Sequence, residues 1–456
     1  MKIDRTPVLH RAHTPGSILT DGERTFSNGE CCEILEKVRG ELLARGIGPE
    51  DILDFHCEHG LAAALLWLAF LEGGWSFFVN AVAPCYEASN PPPFCRCSVK
   101  ARWREDRLVV ETTRNHGWNG ATSANGQTVY FQTSGTTGSP KLVAHSAAKL
   151  LRNAANCVAR LEIDQEARVT IPVPLFHMYG AGAAFLPAAL AGASMEIQSG
   201  SNLPRFIQRE KIFQPDIAFL TPSFMQTLVK GRRDPRGYAL TVSAGDILKP
   251  EIFARYAEKF GPVISLYGST ELGAIAAGAR SDPLESRAHS VGRPMPGVQC
   301  RIEDGHLLCR HDSGFAGYAD ERGRWVERDE WFCTRDLAAW SPDGCLRIHG
   351  RLDHSVNRDG VLISLADVER AMEAIPEVES AKAVAAGTSL RGKGIVVFCL
   401  LKPGTDSDPA TLREACFASM RRGHVPDRIV IVDRFPLLPG GKADRAELVR
   451  LAEEGA

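Results

Sequence analysis

At 456 residues the chain is too long for one compact core, so two or three domains are expected. Its 53 Lys and Arg are interspersed with 55 Asp and Glu, a balance that leaves no electrostatic footprint for nucleic acid or an anionic membrane surface. The apolar and charged fractions, 44% and 24%, are those of ordinary soluble globular proteins.

Taken in chain order, the N-terminus is polar and broken by prolines, unlike a signal peptide. With an odd count of 13 cysteines, it points to a reducing, cytoplasmic setting. Neither Cys31-Cys32 nor Cys95-Arg96-Cys97 has the spacing of a zinc site. Helical patterns over Cys31–Arg45 and Leu61–Glu72 alternate with strand-like runs at Trp75–Val79, Thr128–Gln132, Val169–Val173 and Ile217–Leu220. The longest apolar run, Leu61–Leu71, is well short of the ~18 residues of a membrane span and reads as a buried core helix. Asn90–Pro93 and Asn115–Gln127 read as loops. From Val298 short strands with turn signals follow (Cys300–Ile302, Leu307–Arg310, Cys345–Ile348). Beyond Asp353 a helix (Ser364–Ile375), a strand (Ile395–Leu401), a helix (Pro409–Met420) and a strand (Ile429–Val432) form a further pattern. The expectation is an α/β fold: a large N-terminal domain, 1–352, with a small β subdomain at 296–350, and a small α+β domain at 353–456.

The most informative stretch is Thr133-Ser134-Gly135-Thr136-Thr137-Gly138-Ser139-Pro140-Lys141, after a strand and before a helical stretch at Ser146–Val158. Its glycines let successive N–H groups converge on an anion, and its hydroxyls and lysine add phosphate contacts. It is not the Walker A pattern.

This loop resembles the TSGTTGxPK signature of the adenylate-forming superfamily of acyl-CoA synthetases, peptide-synthetase adenylation domains and luciferases. Four further blocks resemble the family in its order: Tyr267-Gly268-Ser269-Thr270-Glu271, Phe332-Cys333-Thr334-Arg335-Asp336, Gly350-Arg351-Leu352-Asp353, and Pro439 to Arg445. The resemblance implies an ATP- and Mg²⁺-dependent acid–thiol ligase, which makes an acyl-AMP and passes the acyl group to coenzyme A or to the phosphopantetheine of an acyl carrier protein. On that resemblance, residues 133–138 and Lys141 cradle phosphates, Thr270 contacts the α-phosphate, and Glu271 helps hold Mg²⁺. Tyr267, with Gly268, stacks on adenine beside Gly245 of Ser243-Ala244-Gly245-Asp246, a segment that departs from the family's usual residues there. Asp336 and Arg351 take the ribose. Lys442 bridges carboxylate and α-phosphate, and Asp353 is the hinge about which the C-terminal domain rotates. Asn357 stands where many members have a lysine ahead of the Gly360 loop, which meets the thiol arm.

Pro174-Leu175-Phe176-His177-Met178-Tyr179-Gly180 resembles the PLFHxxG block of acyl- and aryl-CoA ligases, which places His177 at the mouth of the carboxylate pocket. Amino-acid-activating relatives carry an Asp there to pair the ammonium, so an α-amino acid is disfavoured. Phe176, Tyr179, Ala181, Phe224 and Leu272 are the expected pocket neighbours, an apolar lining for an aryl or medium-to-long acyl carboxylate.

Overall fold

The computed structural model describes residues 16–82, 88–123, 125–133, 141–199, 202–232, 234, 236–326, 329–351, 355–358, 361–389, 392–420, 424–438 and 443–454. Two compact units are formed: one from 1–300, 309–332 and 340–347, the other from 301–308, 333–339 and 348–456. The residues 296–350, expected as one β subdomain, are thus divided between them, although their strands Val298–Glu303, His306–His311, Phe332–Trp340 and Leu346–Arg351 make a four-stranded sheet.

The first unit holds two large sheets. In a nine-stranded sheet, Val263–Ser269, Leu240–Ser243, Ile217–Leu220, Arg168–Ile171, Ser194–Ile197 and Ile18–Thr20 run parallel in that spatial order. Antiparallel strands flank them, Gly273–Ala277 and Arg293–Pro294 on one edge and Thr25–Ser27 on the other. The eight-stranded sheet has the order Trp325–Val326, Gly317–Ala319, Lys141–Ser146, Thr128–Thr133, Ser76–Val82, Ile52–Glu58, Cys97–Arg104, Arg107–Arg114. Its last two strands, an antiparallel hairpin, have no counterpart in the sequence reading.

One core serves both sheets, drawing Phe55, Val79 and Phe131 from one and Val169, Ile197 and Leu240 from the other. The helix Leu61–Gly73 explains how. Every residue of it except Ala62 and Glu72 is buried, so it is a core helix with no solvent stripe, as expected of an element apolar all round. Trp67 and Phe70 meet Phe55 edge-on at 6.3 and 5.3 Å, and they meet Phe77 edge-on at 5.0 Å and tilted at 5.4 Å respectively. Two amphipathic helices cover the same core. Asn28–Ala44 is started by a capping box in which Ser27 and Glu30 satisfy each other's main-chain N–H. Ala147–Leu161 buries Leu150, Ala154, Cys157 and Leu161 at helical spacing. No helix among the described residues is long and apolar enough to cross a membrane.

In the second unit, Val378–Ser389 and Gly392–Leu401 form a long antiparallel pair, and Gly392–Leu401 also pairs antiparallel with Ser355–Arg358, itself paired to Val361–Ser364, and parallel with Arg428–Ile431. Helices Leu365–Glu373, Pro409–Ser419 and Arg445–Glu454 accompany this sheet, and Leu365, Val368, Met372, Leu412 and Cys416 pack against Ala381, Ile395 and Val397.

A buried ion pair joins strand to helix in the first unit. Glu196, with no exposed surface, accepts from Arg209 Nε and Nη2 at 2.9 and 2.6 Å, from Gln198 Nε2 at 2.5 Å and from Thr170 Oγ1 at 3.2 Å. Removing one partner leaves an uncompensated buried carboxylate. Arg209→Met is therefore expected to lower the unfolding free energy by about 3–5 kcal/mol, read from urea melts, and Glu196→Gln in the same chain should restore most of it.

Candidate functional site: a fixed acidic turn beside a glycine-rich loop

Thr133 ends one strand and Lys141 opens its antiparallel neighbour, and the two residues face each other in the ladder. Thr133 Oγ1 donates to Lys141 O at 3.4 Å. Ser134, Gly135, Thr136, Thr137 and Gly138 lie outside the described residues. The sequence reading runs from this loop towards a helical stretch beginning at Ser146. The structure places the strand Lys141–Ser146 between them, so the loop connects two strand ends and has no helix N-terminus at its exit.

Lys141 Nζ sits 5.0 Å from the centre of the Tyr318 ring, and the Tyr318 hydroxyl donates to Glu271 Oε1 at 3.4 Å. Tyr318 is delivered by the strand Gly317–Ala319, which pairs with Lys141–Ser146 so that Tyr318 faces Val143. One lysine, one phenol and one carboxylate thereby share a corner, and Glu271 belongs to the turn after Val263–Ser269. Segment 133–141 and residues 267–271 therefore meet at the described end of the loop.

That turn is held by its carbonyls. Buried His145 donates through Nε2 to Thr270 O at 2.7 Å. Phe315 N–H donates to Glu271 O at 2.7 Å. Buried His311 donates through Nδ1 to Leu272 O at 2.7 Å. Asn153 donates to Leu272 O and Ala274 O at 3.4 and 3.5 Å and accepts from Ala274 N–H at 3.3 Å. Two glycines make the turn possible: a Cβ on Gly268 would lie 2.2 Å from Gly273 O, and Gly273 itself has φ +67°. Half-buried Tyr267 faces Ala276 across the hairpin. Gly245, at φ +94°, follows the carboxyl end of Leu240–Ser243. Ligands of open parallel sheets bind beyond those strand ends.

The block 174–180 runs into a π-helical turn, Tyr179–Phe185, a local irregularity common at functional sites. His177 is exposed, with its ring edge-on to Phe176 at 4.7 Å. Gly180 has no room for a side chain, since a Cβ would stand 2.1 Å from Pro174 O. Tyr179 gives its hydroxyl to Val242 O and Leu220 O at 2.8 and 3.1 Å, and burial drives its pKa well up. Only its ring is left for contact with a ligand. Ala181 and Leu272 have no exposed surface. Phe224 packs edge-on against Phe206 at 5.0 Å, alongside the cluster of Met225, Tyr238 and Phe253.

Asp336 belongs to the second unit. Thr334 Oγ1 donates to Leu307 O at 2.9 Å and accepts from Asp336 N–H at 3.1 Å, and Asp336 is nearly buried. Arg351 ends a strand, and its side chain lies outside the described residues, as do Asp353 and Lys442 entirely. Beside Lys442, Leu437 and Ala443 form an isolated antiparallel bridge, and Asp444 N–H donates to Pro436 O at 2.8 Å.

Among the described residues no group of three or more His, Cys, Asp or Glu gathers as a metal cage. Glu271 as a lone carboxylate fits Mg²⁺, which is commonly held by one or two carboxylates together with substrate phosphates and water.

A family model of AMP-binding enzymes matches residues 96–317, and a model of the AMP-binding enzyme C-terminal domain matches residues 367–442. The chain belongs to the adenylate-forming, AMP-binding enzyme family. Relatives of this chain include the medium-chain acyl-CoA ligase ACSF2, mitochondrial, of Rattus norvegicus, 28% identical over 71% of this chain and 57% of that protein. The matched region thus spans little more than half the length of that relative. A putative acyl-CoA synthetase of Bacillus subtilis, YngI, is 26% identical over 87% of this chain and 80% of its own. In fold the chain resembles ATP-bound MatB from Rhodopseudomonas palustris, with TM-score 0.82 and 19% identity, covering 98% of this chain and 99% of that one.

His145, Asn153, His311 and Tyr318 carry no sequence signal of their own; they lie outside the signature blocks. His59 was missed as well. Its Nδ1 accepts from Leu175 N–H at 3.3 Å, which ties the 174–177 segment to the start of the core helix. Burial, aided by repulsion from His177, holds its pKa down at about 4. An unfolded chain has a histidine pKa near 6.5, so between these values the unfolded state takes up the proton and the folded state does not. Stability should then fall by up to about 3 kcal/mol as pH drops from about 6.5 to 4. The acid limb should flatten in His59→Asn, whose Oδ1 keeps an acceptor for Leu175 N–H. Urea melts across that range check both.

Proposed function

We propose that this enzyme uses ATP to activate a small carboxylic acid as its acyl-AMP and then transfers the acyl group to the thiol of coenzyme A. The observation that carries this reading is the corner of Lys141, Tyr318 and Glu271 beside a carbonyl-locked Thr270, in a chain of the adenylate-forming family. Attack of a carboxylate on the α-phosphate brings two anions together while pyrophosphate leaves, so the site must place fixed cations and donors where charge gathers. Lys141 and the 133–138 loop hold the leaving phosphates. Thr270, its main chain fixed by His145, aims its hydroxyl at the α-phosphate. Bound Mg²⁺, held by Glu271 together with phosphate oxygens, would screen the same charge.

Tyr267 and Gly268 border the adenine with Gly245, and Asp336 and Arg351 receive the ribose. Lys442, on the mobile domain 353–456, supplies the ammonium that spans the approaching carboxylate and the α-phosphate. Rotation about Asp353 then exchanges Lys442 for the thiol-accepting arrangement. His177 stands at the mouth of an acid pocket bordered by Phe176, the Tyr179 ring, Ala181, Phe224 and Leu272. That surroundings suits an aryl or medium-to-long acyl group and offers no acidic partner for an α-ammonium. The ligase names of the relatives in rat and Bacillus subtilis support coenzyme A as acceptor.

The test is acid-dependent hydroxamate formation with ATP, Mg²⁺ and hydroxylamine across a panel of aryl, fatty and dicarboxylic acids. A second assay then offers coenzyme A or a phosphopantetheinylated carrier protein as acceptor. Turnover with aryl or fatty acids and thioester on coenzyme A are expected. ATP binding without hydroxamate from any acid would leave a non-catalytic nucleotide-binding protein instead, and thioester on the carrier alone would replace the acceptor. Lys442→Ala should cut acid-dependent ATP–pyrophosphate exchange by about 10²–10³-fold, the scale for losing one charge-stabilising group, while ATP still binds. Wild-type exchange in that variant refutes the role given to Lys442.

A further inference from the structure

The strands Val298–Glu303 and His306–His311 are joined by Asp304-Gly305, both at positive φ (49° and 81°), as a two-residue type I′ hairpin turn requires. Glu303 and His306 flank this turn as a hydrogen-bonded pair. By the alternation of antiparallel ladders, Cys300 faces Cys309 three positions further on as a non-hydrogen-bonded pair. Such pairs hold their Cα atoms about 4.5 Å apart, inside the roughly 4.4–6.8 Å that a disulfide spans. The two sulfurs stand 3.5 Å apart. Cys309 has no exposed surface, but Cys300 is partly exposed and open to a small oxidant.

Five other buried thiols differ from this pair. Burial pushes Cys31, Cys157 and Cys399 up to about 12, and Cys97 and Cys416 up to about 11, which keeps them as inert thiols at neutral pH. Cys300 moves the other way, because a hydrogen bond with the Cys309 thiol favours its thiolate.

We propose that Cys300 and Cys309 are a peroxide-responsive thiol pair that closes to an intrachain disulfide. The Cys300 thiolate attacks one oxygen of hydrogen peroxide, breaking the O–O bond, and becomes a sulfenic acid as the other oxygen leaves as water. The Cys309 sulfur then displaces the sulfenic hydroxyl as a second water. Two thiols and one peroxide give one disulfide and two waters, with two electrons passing from sulfur to oxygen. The bond forms two residues before His311, at the root of the segment whose Phe315 and Tyr318 reach Glu271.

The experiment treats the full chain with a small molar excess of hydrogen peroxide, blocks remaining thiols after unfolding, and maps tryptic peptides by mass. The expected product is a cross-link between the peptide ending at Arg301 and Ile302–Arg310, reversed by dithiothreitol, with two alkylatable thiols lost per chain. In Cys309→Ser, dimedone should trap a sulfenic acid on Cys300. Exposed Cys333 is the internal comparison. If it is oxidised while Cys300 and Cys309 stay fully alkylatable in the wild-type chain, the proposal is overturned. Because the readout is covalent mapping, it stands apart from whether any acid is activated.

Discussion

Everything at this site depends on the capture of three consecutive carbonyls, those of Thr270, Glu271 and Leu272, by donors from elsewhere in the fold. A turn that must present a hydroxyl and a carboxylate is by itself a soft structure. Buried donors to its main chain make each departure from one geometry leave a polar group unpaired, which costs about 1–3 kcal/mol each. The side chains of Thr270 and Glu271 thereby take no part in holding the turn's main chain. Fixed dipoles and charges need no reorganisation when charge develops, the basis of electrostatic catalysis.

The two sheets explain why those donors converge. The nine-stranded sheet delivers 267–271 at the carboxyl end of a parallel strand, while the eight-stranded sheet delivers Thr133, Lys141, His145 and Tyr318 from three adjacent strands. The Leu61–Gly73 helix and its aromatic contacts build the common core that fixes one sheet against the other within this unit. Disturbance in that core would be felt at the site through the His145 and Asn153 hydrogen bonds, since Asn153 rides on a helix packed into it.

Much of this was legible in the residues. The alternation of strand and helix and the apolar character of 61–71 follow from local composition and short-range order, which periodicity and turn chemistry report directly, and the family blocks are read from the resemblance of contiguous residues. Thr270 and Glu271 are recognisable because they close the block Tyr267-Gly268-Ser269-Thr270-Glu271, which resembles the family's. The hairpin 97–114 escaped because its Arg- and Lys-rich strands, Cys97–Arg104 and Arg107–Arg114, are half exposed and weakly patterned. The strand after the glycine-rich loop escaped because Lys141–Ser146 leads straight into a helix, and one short apolar run does not separate the two states.

The family, the α/β character and the chemical types in the signature blocks can all be read from the residues alone, because each resides in contiguous residues whose spacing is set by the backbone. It takes the folded arrangement to bring His145, Asn153, His311, Phe315 and Tyr318 to the 270–272 turn, His59 to Leu175, and the Tyr179 hydroxyl to two carbonyls. Those partners lie from about 40 to more than 120 positions apart along the chain. Such contacts arise from strand order and core packing, which no local pattern encodes.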